Sequence, residues 1–199
     1  MKNDILHTAA EMFLSKGFKS VTMDDIATEM GISKKTIYAQ YSNKTELVKC
    51  CADYIFEQIS TTISECLSKN ENPIQELFTI RKAVSSLLKD ESSSPQYQMN
   101  KYYPKIYKDL MNRQFSEMIN SVICNLERGV EQGLYRKEIN IPFIARLYFG
   151  VMNLTKSEEL FPNEIFPKKE VNAQSLEYHI RGIITPKGEE ILHTILIAK

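Results

Sequence analysis

The chain has 199 residues, with 25 Lys and Arg against 25 Asp and Glu, so its formal net charge is zero. With 25% charged and 43% hydrophobic residues, the composition is that of a globular protein and excludes a disordered or fibrous chain. Only 7 Gly and 7 Pro are present, which disfavours a turn-rich all-β fold. The balanced charge argues weakly against nucleic-acid binding, because total charge averages over all faces of the molecule.

Cysteine usage and the apolar runs indicate a cytoplasmic protein that does not span a membrane. The four cysteines form neither a CxxC motif nor a Cys/His spacing suited to zinc, so we expect free thiols and no metal or other cofactor. The N-terminus is charged throughout, unlike a signal peptide. The longest apolar stretch, 143–154, is interrupted by Arg146 and is far shorter than a membrane span.

Two helices are predicted at the start of the chain. Apolar residues at i, i+4 and i+8 predict a helix over about 3–16, and Gly17 should end it in the left-handed conformation that glycine adopts without strain. Thr22 is a good N-cap, and Asp25 three residues later completes a short version of the capping box. The second helix then runs over about 23–30.

The next two helices follow after a very short turn. Gly31 interrupts the helical pattern, and Ser33 can cap a short third helix that ends near residue 40. Asn43 can cap a fourth and longer helix over about 44–69.

The remainder of the chain predicts further helices separated by loops, with no repeat and no convincing strand. ESSSP at 91–95 reads as a polar loop, and 158–171 reads as a loop because it contains two prolines. The predicted helices cover about 74–89, 104–131, 142–157, 173–184 and 187–197. The predicted fold is all-α, with a three-helix N-terminal domain over 1–46 and a larger helical domain over 47–199.

The second and third helices have the spacing of a helix-turn-helix, because only Gly31 and Ile32 separate them. Ala27 is small where the two helices should cross, and Gly31 can supply the positive φ of the turn. Apolar side chains of this segment should share a small core, whereas the polar positions of the third helix should face outwards. A recognition helix needs this arrangement of one docking face and one face rich in hydrogen-bond donors.

Charge is unevenly distributed along the chain. Residues 31–49 hold four Lys and one Glu, for a net charge of +3. Residues 51–199 hold 18 basic and 19 acidic side chains, for a net charge of −1. The segment expected to face DNA is therefore basic, although the chain as a whole is neutral.

The segment ILHTAAEMFLSKGFKSVTMDDIATEMGISKKTIYAQYSNKTELV resembles the DNA-binding domain of TetR-family transcriptional regulators. The shared features are an AAxxF first helix, a KGF turn, Thr then DIA in helix two, a GIS turn, TIY in helix three, and an aromatic residue followed by NKxEL. This resemblance covers roughly residues 3–50. Two later stretches, GVEQGLYRKEINIPFIARLYFG and HIRGIITPKGEEIL, look like the family's entry into its eighth helix and its terminal helices.

The resemblance implies a two-fold homodimer that reads a pseudo-palindromic site on double-stranded DNA. Thr22, Tyr38 and Lys44 match the family's usual phosphate contacts, whereas Lys34, Lys35 and Gln40 match its base-reading positions. Many members carry a small residue at the position of Lys35, so the operator sequence is left open. The full set of expected DNA-contacting residues is Thr22, Ser33, Lys34, Lys35, Thr36, Tyr38, Gln40, Tyr41 and Lys44.

The larger domain is expected to bind an effector and to form the dimer. Aromatic and Met side chains at helical spacing suit an adaptable pocket for a small apolar or aromatic effector, although packing in an ordinary core explains them as well. The expected pocket residues are Tyr54, Met99, Tyr103, Tyr107, Met111, Phe115 and Tyr148. The expected dimer contacts, which internal packing would also explain, are Phe143, Leu147, Val151, Leu154, Leu176, Ile180 and Ile183.

These expectations favour a transcriptional regulator, most simply a repressor that an effector releases from its operator. The alternatives are an activator of the same family and a helical protein-interaction module that does not bind DNA. An enzyme is disfavoured because no GxSxG, P-loop, HExxH or dinucleotide-binding motif is present.

Overall fold

The computed structural model describes residues 1–88 and 95–197, and these residues form helices joined by short connections. No strand occurs in this part of the chain, where a single antiparallel bridge joins Tyr135 to Ile184. The helices are α1 (Lys2–Lys16), α2 (Met23–Glu29), α3 (Lys34–Tyr38), α4 (Lys44–Leu67), α5 (Pro73–Leu87), α6 (Pro95–Tyr102), α7 (Pro104–Glu131), α8 (Ile141–Leu154), α9 (Lys168–Arg181) and α10 (Pro186–Ile197). The predicted all-α fold is confirmed.

Most predicted helix boundaries agree with the structure to within a few residues. The largest difference is α9, which begins at Lys168 and not near residue 173, directly after Pro167 at its N-cap. Helix α6 was not predicted from the sequence. It has only eight residues and lies between the predicted loop at 91–95 and the predicted helix that begins at Pro104. Of the predicted polar loop 91–95, residues 91–94 lie outside the described residues.

The chain divides into two compact units. The N-terminal unit comprises Met1–Thr61 with Leu87–Asn112, and the C-terminal unit comprises Thr62–Ser86 with Arg113–Lys199. Helices α4 and α7 therefore contribute residues to both units. The functional boundary at 46/47 stays a prediction, whereas the packed N-terminal unit also includes the start of α4, α6 and the start of α7.

The core of the N-terminal unit is built around α1. Ile5 and Phe13 are fully buried, and the Phe13 ring stacks on Phe18 at a centroid distance of 5.0 Å. Gly17 has φ 88° and ψ 154°, so its φ is positive as predicted but the residue is not in the left-handed helical region. A Cβ at this position would lie 2.3 Å from the Gln98 side chain, whose Oε1 accepts a hydrogen bond from the Lys19 N–H at 3.1 Å.

A buried polar network joins α5 to α7 in the C-terminal unit. Glu76 is 1% exposed and accepts hydrogen bonds from Asn125 Nδ2 at 2.8 Å and from Arg128 at 2.5 Å. Asn125 in turn donates to the Pro73 carbonyl at 2.9 Å and accepts from the Tyr135 hydroxyl at 3.2 Å. The polar groups of this network satisfy one another, as burial of an ionised side chain requires.

The turn after α7 packs against the turn before α10. Arg136 N–H donates to the Ile183 carbonyl at 2.8 Å, and Thr185 N–H donates to the Leu134 carbonyl at 2.9 Å. Gly188 allows this close approach, because a Cβ there would lie 2.4 Å from the Leu134 carbonyl oxygen. The two stretches that resemble the TetR family beyond residue 50 thus meet in one structural feature.

Candidate nucleic-acid interface

Local hydrogen bonds build the helix-turn-helix as the sequence predicted. The Thr22 N–H donates to Asp25 Oδ2 at 2.8 Å, and Asp25 N–H donates back to the Thr22 hydroxyl oxygen at 3.1 Å, which completes the capping box. Gly31 has φ 63°, and Ile32 N–H then reaches back to the Ala27 carbonyl at 3.0 Å. Because both ends of the turn are fixed in this way, the orientation of α3 relative to α2 is determined locally.

Helix α3 has one buried face and one exposed face. Ile37 is fully buried in the core of the N-terminal unit. Lys34, Lys35 and Tyr38 are exposed, with 42% of Tyr38 accessible. The helix therefore presents two ammonium groups and a phenol to solvent from a rigidly docked backbone.

Four of the other expected DNA contacts are also accessible in whole or in part. Ser33 is exposed and caps α3 by accepting the Thr36 N–H at 3.2 Å, while the two hydroxyl oxygens lie 2.8 Å apart. Thr36 and Gln40 are half-buried. Thr22 is exposed, and its hydroxyl donates to Asp25 Oδ2 at 2.8 Å.

Lys44 is less available than the sequence suggested. Its ammonium donates to the Lys19 carbonyl at 3.3 Å and lies 6.0 Å from the centre of the Phe13 ring. Partial burial lowers the pKa of Lys44, and the nearby Asp25 opposes this shift. In this structure Lys44 links the start of α4 to the turn after α1, so a phosphate contact would require the ammonium to exchange partners.

The expectation that Tyr41 contacts DNA is wrong for this structure. Tyr41 is only 1% exposed, because its ring belongs to the core of the N-terminal unit. Its hydroxyl points towards the Lys2 carbonyl at 3.4 Å, and burial raises the pKa of Tyr41 to about 12. The aromatic residue before NKxEL therefore has a packing role here.

The residues expected to line an effector pocket are divided between the two units. Met99 is buried in the core of the N-terminal unit. The side chains of Tyr54, Tyr103 and Tyr107 pack against this core. Met111 also lies in the N-terminal unit. In the C-terminal unit, the Phe115 ring meets Phe149 edge-on at 5.2 Å, and Tyr148 stacks on His179 at 4.2 Å. The effector pocket stays a prediction.

The residues expected at the dimer interface fall into two groups. Phe143, Leu147 and Leu154 on α8 are 60%, 48% and 52% exposed, and Val151 is half-buried. Leu176, Ile180 and Ile183 are at most 2% exposed, so the prediction that they contact a second subunit is wrong. These three side chains fill the core of the C-terminal unit, and the exposed apolar residue of α9 is instead Tyr178 at 81%.

The remaining candidate chemistry is sparse. In the described parts of the chain, no group of three or more His, Cys, Asp or Glu is arranged to hold a metal ion, and no helix is long and apolar enough to cross a membrane. Cys51 is buried with its Sγ 3.8 Å from the Leu6 carbonyl oxygen, and burial raises the pKa of both Cys50 and Cys51. These two thiols are consequently poor nucleophiles at neutral pH.

Comparison with known proteins points to the same segment. Residues 5–51 match the family model described as bacterial regulatory proteins, tetR family. Residues 5–51 are therefore similar to the DNA-binding segment of the TetR family. This similarity is confined to the helix-turn-helix segment, whereas the solved structures described below show similarity of fold alone.

Three similar proteins illustrate how far the similarity extends. The biofilm operon negative transcriptional regulator IcaR of Staphylococcus aureus is 37% identical over 59 residues, which cover 28% of this chain and only 32% of IcaR. The HTH-type transcriptional regulator YdeS of Bacillus subtilis is 25% identical over 151 residues, or 73% of each chain. The solved regulatory protein TetR from Rhodobacter sphaeroides has a TM-score of 0.74 at 12% identity, covering 92% of this chain and 98% of that one.

One of the residues expected to contact DNA, Lys34, has a charged neighbour that the sequence did not predict. Asp24 lies in the first turn of α2, and its carboxylate pairs with the Lys34 ammonium at 2.7 Å and 2.9 Å. From the sequence, Asp24 is expected only to stabilise the N-terminus of α2 by its negative charge. Asp24 and Lys34 come together because the chain reverses direction at the turn between α2 and α3. Hydrophobic periodicity does not predict such a contact.

Proposed function

We propose that this protein is a transcriptional regulator that binds double-stranded operator DNA through α3. One observation carries this proposal: α3 is docked by the fully buried Ile37 and turns Lys34, Lys35 and Tyr38 to solvent. A recognition helix in the major groove needs an immobile backbone with donors on its outer face. The Lys side chains supply the positive charge that phosphate binding requires.

We further propose that the active form is a homodimer. Helix α8 buries Ala145 fully and leaves three large apolar side chains exposed, Phe143, Leu147 and Leu154. Exposed apolar side chains grouped on one helix mark an interaction surface, so we infer that this face pairs with its copy across a two-fold axis. Two reading domains in a symmetric dimer would then recognise a pseudo-palindromic site.

The regulator is proposed to act as a repressor in the cytoplasm, where bacterial DNA lies. IcaR, whose DNA-binding segment is similar, carries the name of a negative regulator, which supports repression here without extending to its target operon. A small apolar or aromatic effector is proposed to bind the larger helical domain. By favouring one conformation of α4, it would change the separation of the reading domains and weaken operator binding. No catalytic role is proposed.

Selection from a pool of random-sequence duplexes tests the proposal, because the protein itself then chooses the operator sequence. We expect the purified full chain to enrich a pseudo-palindromic sequence and to bind it far more tightly than a random-sequence duplex. Lys35→Gln combined with Tyr38→Ala should strongly weaken binding to this duplex while the circular dichroism spectrum stays helical. As a control, Lys169→Gln on α9 removes an exposed positive charge outside the reading segment and should leave binding unchanged. Absence of any enriched sequence would favour a helical protein-interaction module instead.

A further inference from the structure

The two lysines at the start of α3 have different surroundings. The Lys34 ammonium contacts both carboxylate oxygens of Asp24, at 2.7 Å and 2.9 Å, and lies 5.9 Å from the centre of the Tyr38 ring. Within the described residues, no carboxylate pairs with the ammonium of the neighbouring Lys35. The contact with Asp24 therefore gives Lys34 a different electrostatic environment from that of Lys35.

We propose that Asp24 is a specificity-determining residue that positions Lys34 to read a base and keeps it from binding phosphate. This inference rests on the proposed DNA-binding function. An unrestrained lysine has a flexible four-carbon stem and behaves as a point charge, so it binds phosphate oxygens at many positions. Lys34 is held from two sides, by the carboxylate and by the aromatic ring, so less side-chain freedom is lost when it meets one defined partner.

The position of Lys34 suits this role. It is the first residue of α3 after the Ser33 N-cap, and the N-terminal residues of a recognition helix are those that contact base edges. An ammonium has three donors, so contact with both oxygens of Asp24 leaves donor capacity for a further acceptor. The hydrogen bond to Asp24 also raises the pKa of Lys34.

The partner that best fits a positioned ammonium is guanine. In the major groove guanine presents two acceptors, N7 and O6, and lysine contacts to these atoms are among the common specific contacts. The Asp24 carboxylate adds discrimination, because its negative charge repels a phosphate that approaches the same ammonium. Lys35, without such a neighbour, is left to supply general attraction to the DNA backbone.

The test measures base preference and salt dependence separately in Asp24→Asn. Relative affinities are determined for the duplex selected by the wild-type protein, for versions carrying each single base-pair change, and for a random-sequence duplex at several KCl concentrations. We expect Asp24→Asn to reduce discrimination at one guanine position per half-site by about fivefold or more. Binding to the random duplex should tighten, and its slope of log K against log salt should steepen by about 0.9 for each added phosphate contact.

Two further variants separate positioning from net charge. Glu29→Gln is matched, because it makes the same charge change on α2 and also removes a carboxylate that pairs with a lysine, Lys16, at 3.9 Å. It should leave base discrimination unchanged. Lys34→Met should lose discrimination at the same guanine, and the double variant Asp24→Asn with Lys34→Met should lose no more than Lys34→Met alone.

The outcomes are distinguishable from failure of the proposed function. If the wild-type protein selects no duplex, the DNA-binding function itself is wrong. If the wild-type protein selects a site but Asp24→Asn keeps the full preference at every position, the role of Asp24 is refuted. Equal effects of Asp24→Asn and Glu29→Gln would likewise refute it, since net charge alone would then explain the change.

Discussion

At the residue scale, the burial and the hydrogen-bond partners of a side chain determine whether it stabilises the fold or is available to contact DNA. Lys44 and Tyr41 match a family pattern for DNA contact, yet the first is tied to the Lys19 carbonyl and the second is buried. Lys34 and Lys35 have identical side chains and adjacent positions, but only Lys34 has a carboxylate partner among the described residues. The sequence establishes which residue types are present, whereas their partners depend on chain segments that meet only after folding.

Gly188 gives the sharpest residue-scale prediction. Gly188→Ala should lower the free energy of unfolding by about 1–3 kcal/mol, because overpacking against a fixed carbonyl forces a backbone shift. Thermal denaturation followed by circular dichroism measures this effect. Gly150→Ala is the matched control, because it also lies within a helix but a Cβ there meets nothing within 4 Å. Equal loss of stability in both variants would show that the contact with the Leu134 carbonyl is not responsible.

At the element scale, helix starts and helix pairs are stabilised in different ways. The start of α2 depends on a local capping box between Thr22 and Asp25. The packing of α5 on α7 depends on the long-range network around Glu76. The first was predictable from a spacing of three residues, and the second was not, because Glu76 and Arg128 are 52 residues apart in the chain.

The cap of α2 predicts a pH-dependent effect of Thr22→Val. At neutral pH this change should cost about 1 kcal/mol of stability, since it removes a side-chain cap, while Thr22→Ser should restore it. Hydrogen bonds from the Thr22 backbone and hydroxyl hold the pKa of Asp25 below its ordinary value of 3.8. That stabilisation is complete above pH 3.8 and is lost as the pH falls through the lowered pKa of the folded state.

Urea denaturation at neutral and acidic pH checks this prediction. The difference in unfolding free energy between wild-type protein and Thr22→Val should shrink on acidification. Once Asp25 is protonated, its side chain no longer accepts a charge-assisted hydrogen bond from the Thr22 hydroxyl. A difference that is constant with pH would contradict a role for the carboxylate.

The buried network predicts a large effect of removing Glu76. Glu76→Ala should destabilise the fold by about 2–3 kcal/mol, because the buried Asn125 and the partly exposed Arg128 would lose their partner. Tyr135→Phe, which removes a single hydrogen bond from the same network, should cost about 0.5–1.5 kcal/mol. Urea denaturation compares the two variants, and a Glu76→Ala loss no greater than that of Tyr135→Phe would refute the importance of the charge.

At the scale of the whole molecule, the balance of charge and apolar surface determines how the protein associates. The net charge of zero is the sum of −2 over residues 1–30, +3 over 31–49 and −1 over 51–199, so neutrality does not exclude DNA binding. Because the positive charge is modest and confined to this segment, we expect affinity for DNA to depend on shape and specific contacts. The exposed apolar face of α8 is best explained if two chains associate.

Leu147→Glu should convert the proposed dimer into a monomer. The side chain is 48% exposed, so the isolated subunit tolerates a charge there, but two carboxylates near a two-fold axis would repel each other in a desolvated interface. Light scattering after size-exclusion chromatography reports the mass. Ile197→Glu on α10 is the control, because Ile197 is 70% exposed but lies outside the α8 face. Retention of the dimer mass by Leu147→Glu would place the interface elsewhere.

The amino-acid sequence was enough to predict most of the helices, the N-caps of α2, α3 and α4, the turn at Gly31 and the outward face of α3, but not α6 or the start of α9. These features arise from interactions within a few residues, so composition, glycine placement and the 3.6-residue period are enough to predict them. Only the tertiary structure decided that Leu176, Ile180 and Ile183 are core residues while Phe143, Leu147 and Leu154 remain uncovered. An apolar stripe shows that one face will be buried, but which segment covers it depends on contacts between helices far apart in the chain.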